Sequence, residues 1–178
     1  MANKKFTAKK IAVLAVFTAA SLIMFLIENL LPTVVPGAKI GLANLFTLAA
    51  LIMYSPVEAF SIVLVRTLLG SLFSGNISAM IYSTTGGAVS MAVACVLLYS
   101  AFPKISVMAI SIISAVAHNV TQNLVFCAVS GMSIAINYMP YLLLLGVVSG
   151  AIIGAIVTVT FKKIPLTQFE RVVANKLK

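Results

Sequence analysis

The chain has 178 residues, of which 62% are hydrophobic and 8% charged, with a mean hydropathy of +1.17 and a net charge of +9. A composition this apolar excludes a water-soluble globule and describes an integral membrane protein. The positive balance carries no nucleic-acid motif and fits short basic segments at a membrane surface, with attraction to anionic lipid.

Apolar runs long enough to cross a hydrocarbon core of about 30 Å as helices recur between short polar breaks. They predict six transmembrane helices at 9–31, 39–53, 56–74, 78–101, 105–128 and 138–161, separated by "LPTVVPGAK", "YSP", "SGN", "FPK" and "SGMSIAIN". Strand-like alternation in ten-residue segments is not seen, which sets aside an outer-membrane barrel. The expected fold is an all-α bundle forming one transmembrane domain over 1–178, with basic tails at about 1–8 and 162–178.

The first span follows Lys4, Lys5, Lys9 and Lys10 and reads as an uncleaved helix. Within it Ala15 and Ala19 lie one turn apart, and Glu28 and Asn29 close it. Lys162, Lys163, Arg171, Lys176 and Lys178 follow the last span, and Lys104 lies between the fourth and fifth. Because cytoplasmic loops collect Lys and Arg, six crossings place both termini and Lys104 in the cytoplasm.

That orientation gathers polar residues in the outer half. Lys39, Asn44 and Thr47 open the second span, Arg66, Thr67 and Ser71 lie midway or beyond in the third, and "YSTTGG" (82–87, with Thr84) opens the fourth. The fifth carries Ser114, His118, Thr121 and Gln122 on one face, with Asn119 about 100° around. Polar groups facing lipid cost several kcal/mol each, so these side chains are expected to converge. Two outcomes remain open: an outward-facing solute pocket bounded by the second to sixth spans and the first outer loop, or hydrogen bonds that bind helix to helix. Arg66 requires a partner, either Glu28 or a bound anion.

Chemistry is bounded by what is missing. The sequence has no Asp, and its carboxylates are Glu28, Glu58 and Glu170, so the clustered oxygen ligands of a Mg²⁺-dependent diphosphate enzyme are absent. There is one His, no phosphate-cradling GxxxxGK[ST] loop, and no metal spacing around Cys95 or Cys127. A non-enzymatic chain without cofactor or metal is expected. Gly146, Gly150 and Gly154 form a small-residue stripe, open between partner docking and internal packing.

The stretches "PGAKIGLANLFTLAAL", "VRTLLGSLFSG", "STTGGAVSM" and "AVAHNVTQNLV", in this order over about 8–161, resemble the Gx transporter family, also described as heptaprenyl diphosphate synthase component I. That family resembles the substrate-binding S components of energy-coupling-factor (ECF) transporters. The resemblance implies a six-helix protein that captures a vitamin- or cofactor-like solute on the outer side, while a T component and two ATPases drive transport. It also implies docking of the T component at an Ala-x-x-x-Ala pattern, matched by Ala15 and Ala19. The expected solute-binding residues are Lys39, Asn44, Arg66, Thr84, His118 and Gln122. The alternatives are a noncatalytic membrane subunit of a polyprenyl diphosphate synthase and a dimeric secondary transporter.

Overall fold

The computed structural model describes residues 8–30 and 41–162. Its helices are α1 (Ala8–Leu30), α2 (Asn44–Met53), α3 (Pro56–Ser74), α4 (Ile77–Ser100), α5 (Val107–Ser130) and α6 (Met139–Lys162), with a 3₁₀ segment at Ser133–Tyr138 before α6. Local chemistry fixes the breaks. Pro56 sits in the first turn of α3, where its missing N–H costs nothing. Gly75 and Gly131, at φ 65° and 70°, end α3 and α5 in the left-handed conformation that glycine adopts without strain. The Asn76 side chain caps α4 by accepting from the Ala79 N–H at 2.9 Å, and Ser106 caps α5 through the Ala109 N–H at 3.1 Å.

Among the described residues, five helices are long and apolar enough to cross a membrane. The second predicted span requires correction: the helix covers 44–53, residues 41–43 turn into it, and its ten residues reach about 15 Å, half a bilayer core. Its role is internal. The long helices pack in the order α1, α3, α4, α5, α6, while α2 lies against α1, α3, α4 and α6. Leu48, Ala50, Leu51 and Ile52 of α2 are buried in the core with Ile62, Leu98, Ile110 and Val157. A short helix surrounded by others needs no bilayer-matching length.

Large apolar side chains such as Val16, Leu68, Leu72, Val96 and Leu144 face outward. Such continuous apolar cover suits lipid and not water. At one end of the bundle Lys10 of α1 forms an ion pair with Glu58 of α3, Ser55 donates to the same carboxylate, and the Lys10 ammonium lies 5.6 Å from the Tyr54 ring centre.

The glycine stripe of α6 is internal packing. A Cβ added at Gly146, Gly150 or Gly154 would lie 2.9, 2.6 or 2.7 Å from the Cα of Val116, Ile112 or Met108 on α5. The two backbones meet in register, one turn at a time, so these glycines are occupied within the chain.

Candidate functional site

Arg66 is midway along α3 and 2% exposed. Burying a guanidinium inside a membrane bundle is costly, and hydrogen bonds to its donors offset part of that cost. Its Nη1 donates to Ser21 Oγ at 3.3 Å and its Nη2 to Asn44 Oδ1 at 2.6 Å. Ser21 donates in turn to the Ala43 carbonyl at 3.1 Å, and Glu28 accepts from the Leu42 N–H. The network therefore ties α1 and α3 to the turn that starts α2. Glu28 attracts Arg66 electrostatically, but the hydrogen bonds of Arg66 go to Ser21 and Asn44.

These groups surround a narrow cavity whose wall includes Phe25, Glu28, Asn44, Arg66, Ser83 and His118. Glycines create the space. Gly41, at φ 82°, sits where a Cβ would come within 3.1 Å of Asn44 Nδ2 and 3.9 Å of the His118 ring. A Cβ at Gly87 would press into Val63 at 2.8 Å and reach Arg66 Nη2 at 3.5 Å. At Gly86 it would lie 3.2 Å from Gln122 Cβ and 3.4 Å from His118 Cε1. "GG" thus lets α4 approach both Arg66 and the His118/Gln122 face of α5. A second cavity shares Asn44 and continues between α2, α4 and α5, with Ile153 of α6 at its wall.

The expected site residues separate as follows. Asn44, Arg66 and His118 come together at the first cavity. Gln122 is 1% exposed and packs near Gly86, off both cavity walls, and neither its Oε1 nor its Nε2 has a hydrogen-bond partner among the described residues. Thr84 turns to α3 and donates to Thr67 Oγ1 at 2.9 Å, while its neighbour Ser83 takes the place on the wall. Lys39 lies outside the described residues. Ala15 and Ala19 are exposed on the outer face of α1.

The expected enclosure by the second to sixth spans also needs correction, because α1 supplies Phe25 and Glu28 to the first cavity and α6 touches only the second. Ser21, Phe25 and Glu28 recur at i, i+4 and i+7, one buried stripe of α1. That spacing was the available signal for Ser21, which sequence reasoning missed.

The other polar residues of α5 bind helices together. Asn119 Nδ2 donates to the Leu142 carbonyl at 3.0 Å and Asn123 Nδ2 to the Ala135 carbonyl at 3.0 Å. One helix thus carries two polar stripes: His118 and Gln122 face α4, and Asn119 and Asn123 face the 3₁₀ segment and α6. No group of three or more His, Cys, Asp or Glu residues suited to a metal ion occurs among the described residues.

A family model described as heptaprenyl diphosphate synthase component I matches residues 17–160, a stretch that contains every named residue of the first cavity. No curated protein matches the chain.

Proposed function

This chain belongs to the heptaprenyl diphosphate synthase component I family, and from that premise we propose that it is the membrane-embedded solute-binding (S) component of an ECF-type transporter. It captures a small vitamin- or cofactor-like solute from the outer face for ATP-driven transport by a T component and ATPase subunits. The observation that carries the reading is the convergence of Glu28, Asn44, Arg66, Ser83 and His118, from five different helices, on one buried cavity. Maintaining a cation and a carboxylate inside a membrane bundle is costly, and ligand recognition is a recurrent reason for that cost. The exposed Ala15 and Ala19 offer a smooth patch on which a partner helix can approach closely. Both termini lie in the cytoplasm in this reading.

The family description favours a second reading, a noncatalytic membrane subunit that accompanies a soluble prenyl diphosphate synthase. The absence of Asp from the sequence fits a supporting role, since the metal-binding carboxylates would reside on the partner. Affinity purification of the chain from its native membrane in mild detergent separates the two. Recovery of ATPases with a multi-helix membrane partner supports the transporter. Recovery of a soluble Asp-rich synthase without ATPases supports the second reading and overturns the first.

A further inference from the structure

We infer that the site takes an amphiphilic carboxylate, its head on the Arg66 guanidinium and its apolar body in the seam that continues past Asn44. This rests on the solute-binding reading and narrows the class of solute. The Nε–H and one Nη2–H of a guanidinium point the same way and match the two oxygens of a carboxylate. Here Nη2 is held by Asn44 Oδ1 at 2.6 Å, whereas Nε, fully buried, has no hydrogen-bond partner among the described residues. The carboxamide of Asn44 therefore fills one prong of a two-pronged site. Its own Nδ2 is a second buried donor without a partner there. A buried donor left unmatched is costly, and both donors call for an acceptor. A carboxylate takes Nε–H with one oxygen and Nη2–H with the other, displacing the Asn44 oxygen and leaving the Asn44 amide free to donate.

The body follows from the second cavity. Asn44 belongs to both cavities, and from it the seam runs between Leu48 and Leu51 of α2, Met91 and Ala94 of α4, and Ile153 of α6. Asn44 and Leu51 on this wall are two helical turns apart, about 10 Å, comparable to an extended octanoate chain, and the seam, now little more than water-sized, widens as the chain enters. Ser114 on this wall already donates to the Ile110 carbonyl at 2.7 Å, whereas the buried Thr47 hydroxyl has no hydrogen-bond partner among the described residues and offers one polar contact along the mainly apolar seam. A monoanion is preferred to a dianionic phosphate because a carboxylate's two oxygens match the paired Nε–H and Nη2–H donors, and the attraction of Glu28 already offsets part of the Arg66 charge.

The test uses the full chain in lipid nanodiscs and follows thermal stability with octanoate, acetate, octylamine, octanol and octyl phosphate. Octanoate should stabilise the protein saturably, acetate should bind about tenfold or more weakly for want of the buried body, and the amine and alcohol should have no saturable effect. Arg66→Gln should weaken octanoate by roughly tenfold or more. Ala115→Leu, which narrows the seam away from the charges, should weaken octanoate and leave acetate unchanged; this variant decides the matter if Arg66→Gln does not fold. Equal stabilisation by octanol or octylamine, stronger binding of octyl phosphate, or indifference of octanoate to either variant overturns the inference. If no probe binds while another solute copurifies in an Arg66-dependent manner, the carboxylate class is wrong and the solute-binding reading stands.

Discussion

His118 and Asn119 are adjacent in sequence and serve different parts of the molecule: His118 lines the cavity with Arg66, and Asn119 donates to the Leu142 carbonyl on α6 at 3.0 Å. The 100° step between consecutive helical residues produces this division. His118→Ala should lower solute affinity roughly five- to hundred-fold, beyond whatever stability the solute-free protein loses with this buried side chain. Asn119→Ala should cost about 0.5–1.5 kcal/mol of stability and leave affinity unchanged. Thermal unfolding with and without solute distinguishes the two. Equal destabilisation by both variants, with affinity untouched, would make His118 a structural residue.

Arg66→Gln keeps a donor near Asn44 but removes the charge that faces Glu28. Solute affinity should fall by roughly tenfold or more, since a buried charge-assisted hydrogen bond is lost. Adding Glu28→Gln should recover part of the stability lost with Arg66, because the buried negative charge that had faced the guanidinium is then removed. A double variant no more stable than Arg66→Gln alone would show that Glu28 and Arg66 do not interact energetically.

Gly150→Ala places a Cβ 2.6 Å from the Ile112 Cα. Backbone cannot yield as a side-chain tip does, so α5 and α6 must separate, at a cost of about 1–3 kcal/mol. Thermal unfolding should show the loss without any effect on partner association. Normal stability together with lost association would return this stripe to a docking role.

Ala15→Leu and Ala19→Leu should have the opposite signature. Both positions are exposed on α1, so insertion and solute affinity should persist while copurification of a membrane partner falls. Unchanged recovery of the partner would make this face a lipid surface.

For topology, cysteine introduced at Ser133 should react with an impermeant thiol reagent added to intact cells, and cysteine at Lys104 should not. The inverse labelling would place the polar cavity on the cytoplasmic side.

Helix boundaries were legible wherever punctuation was strong. Pro56, Gly75, Asn76 and Gly131 mark ends that the structure places within about two residues of expectation. The second helix was overextended because apolar character reports burial without saying whether lipid or protein provides it. "KIGLAN" is apolar enough to continue a span, yet Gly41 takes φ 82° and the helix begins only at Asn44. Within the site, Arg66, Asn44 and His118 were legible as costly residues at similar depth. Thr84 was not distinguishable from Ser83, because a one-residue rotation decides which hydroxyl faces the cavity. Ser21 was obscured by a helix whose more visible pattern, Ala15 and Ala19, lies on the opposite side.

The central claim is that the cavity around Arg66 holds a solute, and the most direct measurement is mass spectrometry of small molecules retained by the protein purified from its own membrane in mild detergent. Wild-type chain should retain a discrete small molecule, distinct from membrane phospholipid, that Arg66→Gln and His118→Ala lose and Asn119→Ala keeps. Retention of phospholipid alone, or of the same compound in equal amount by all four proteins, would contradict the account.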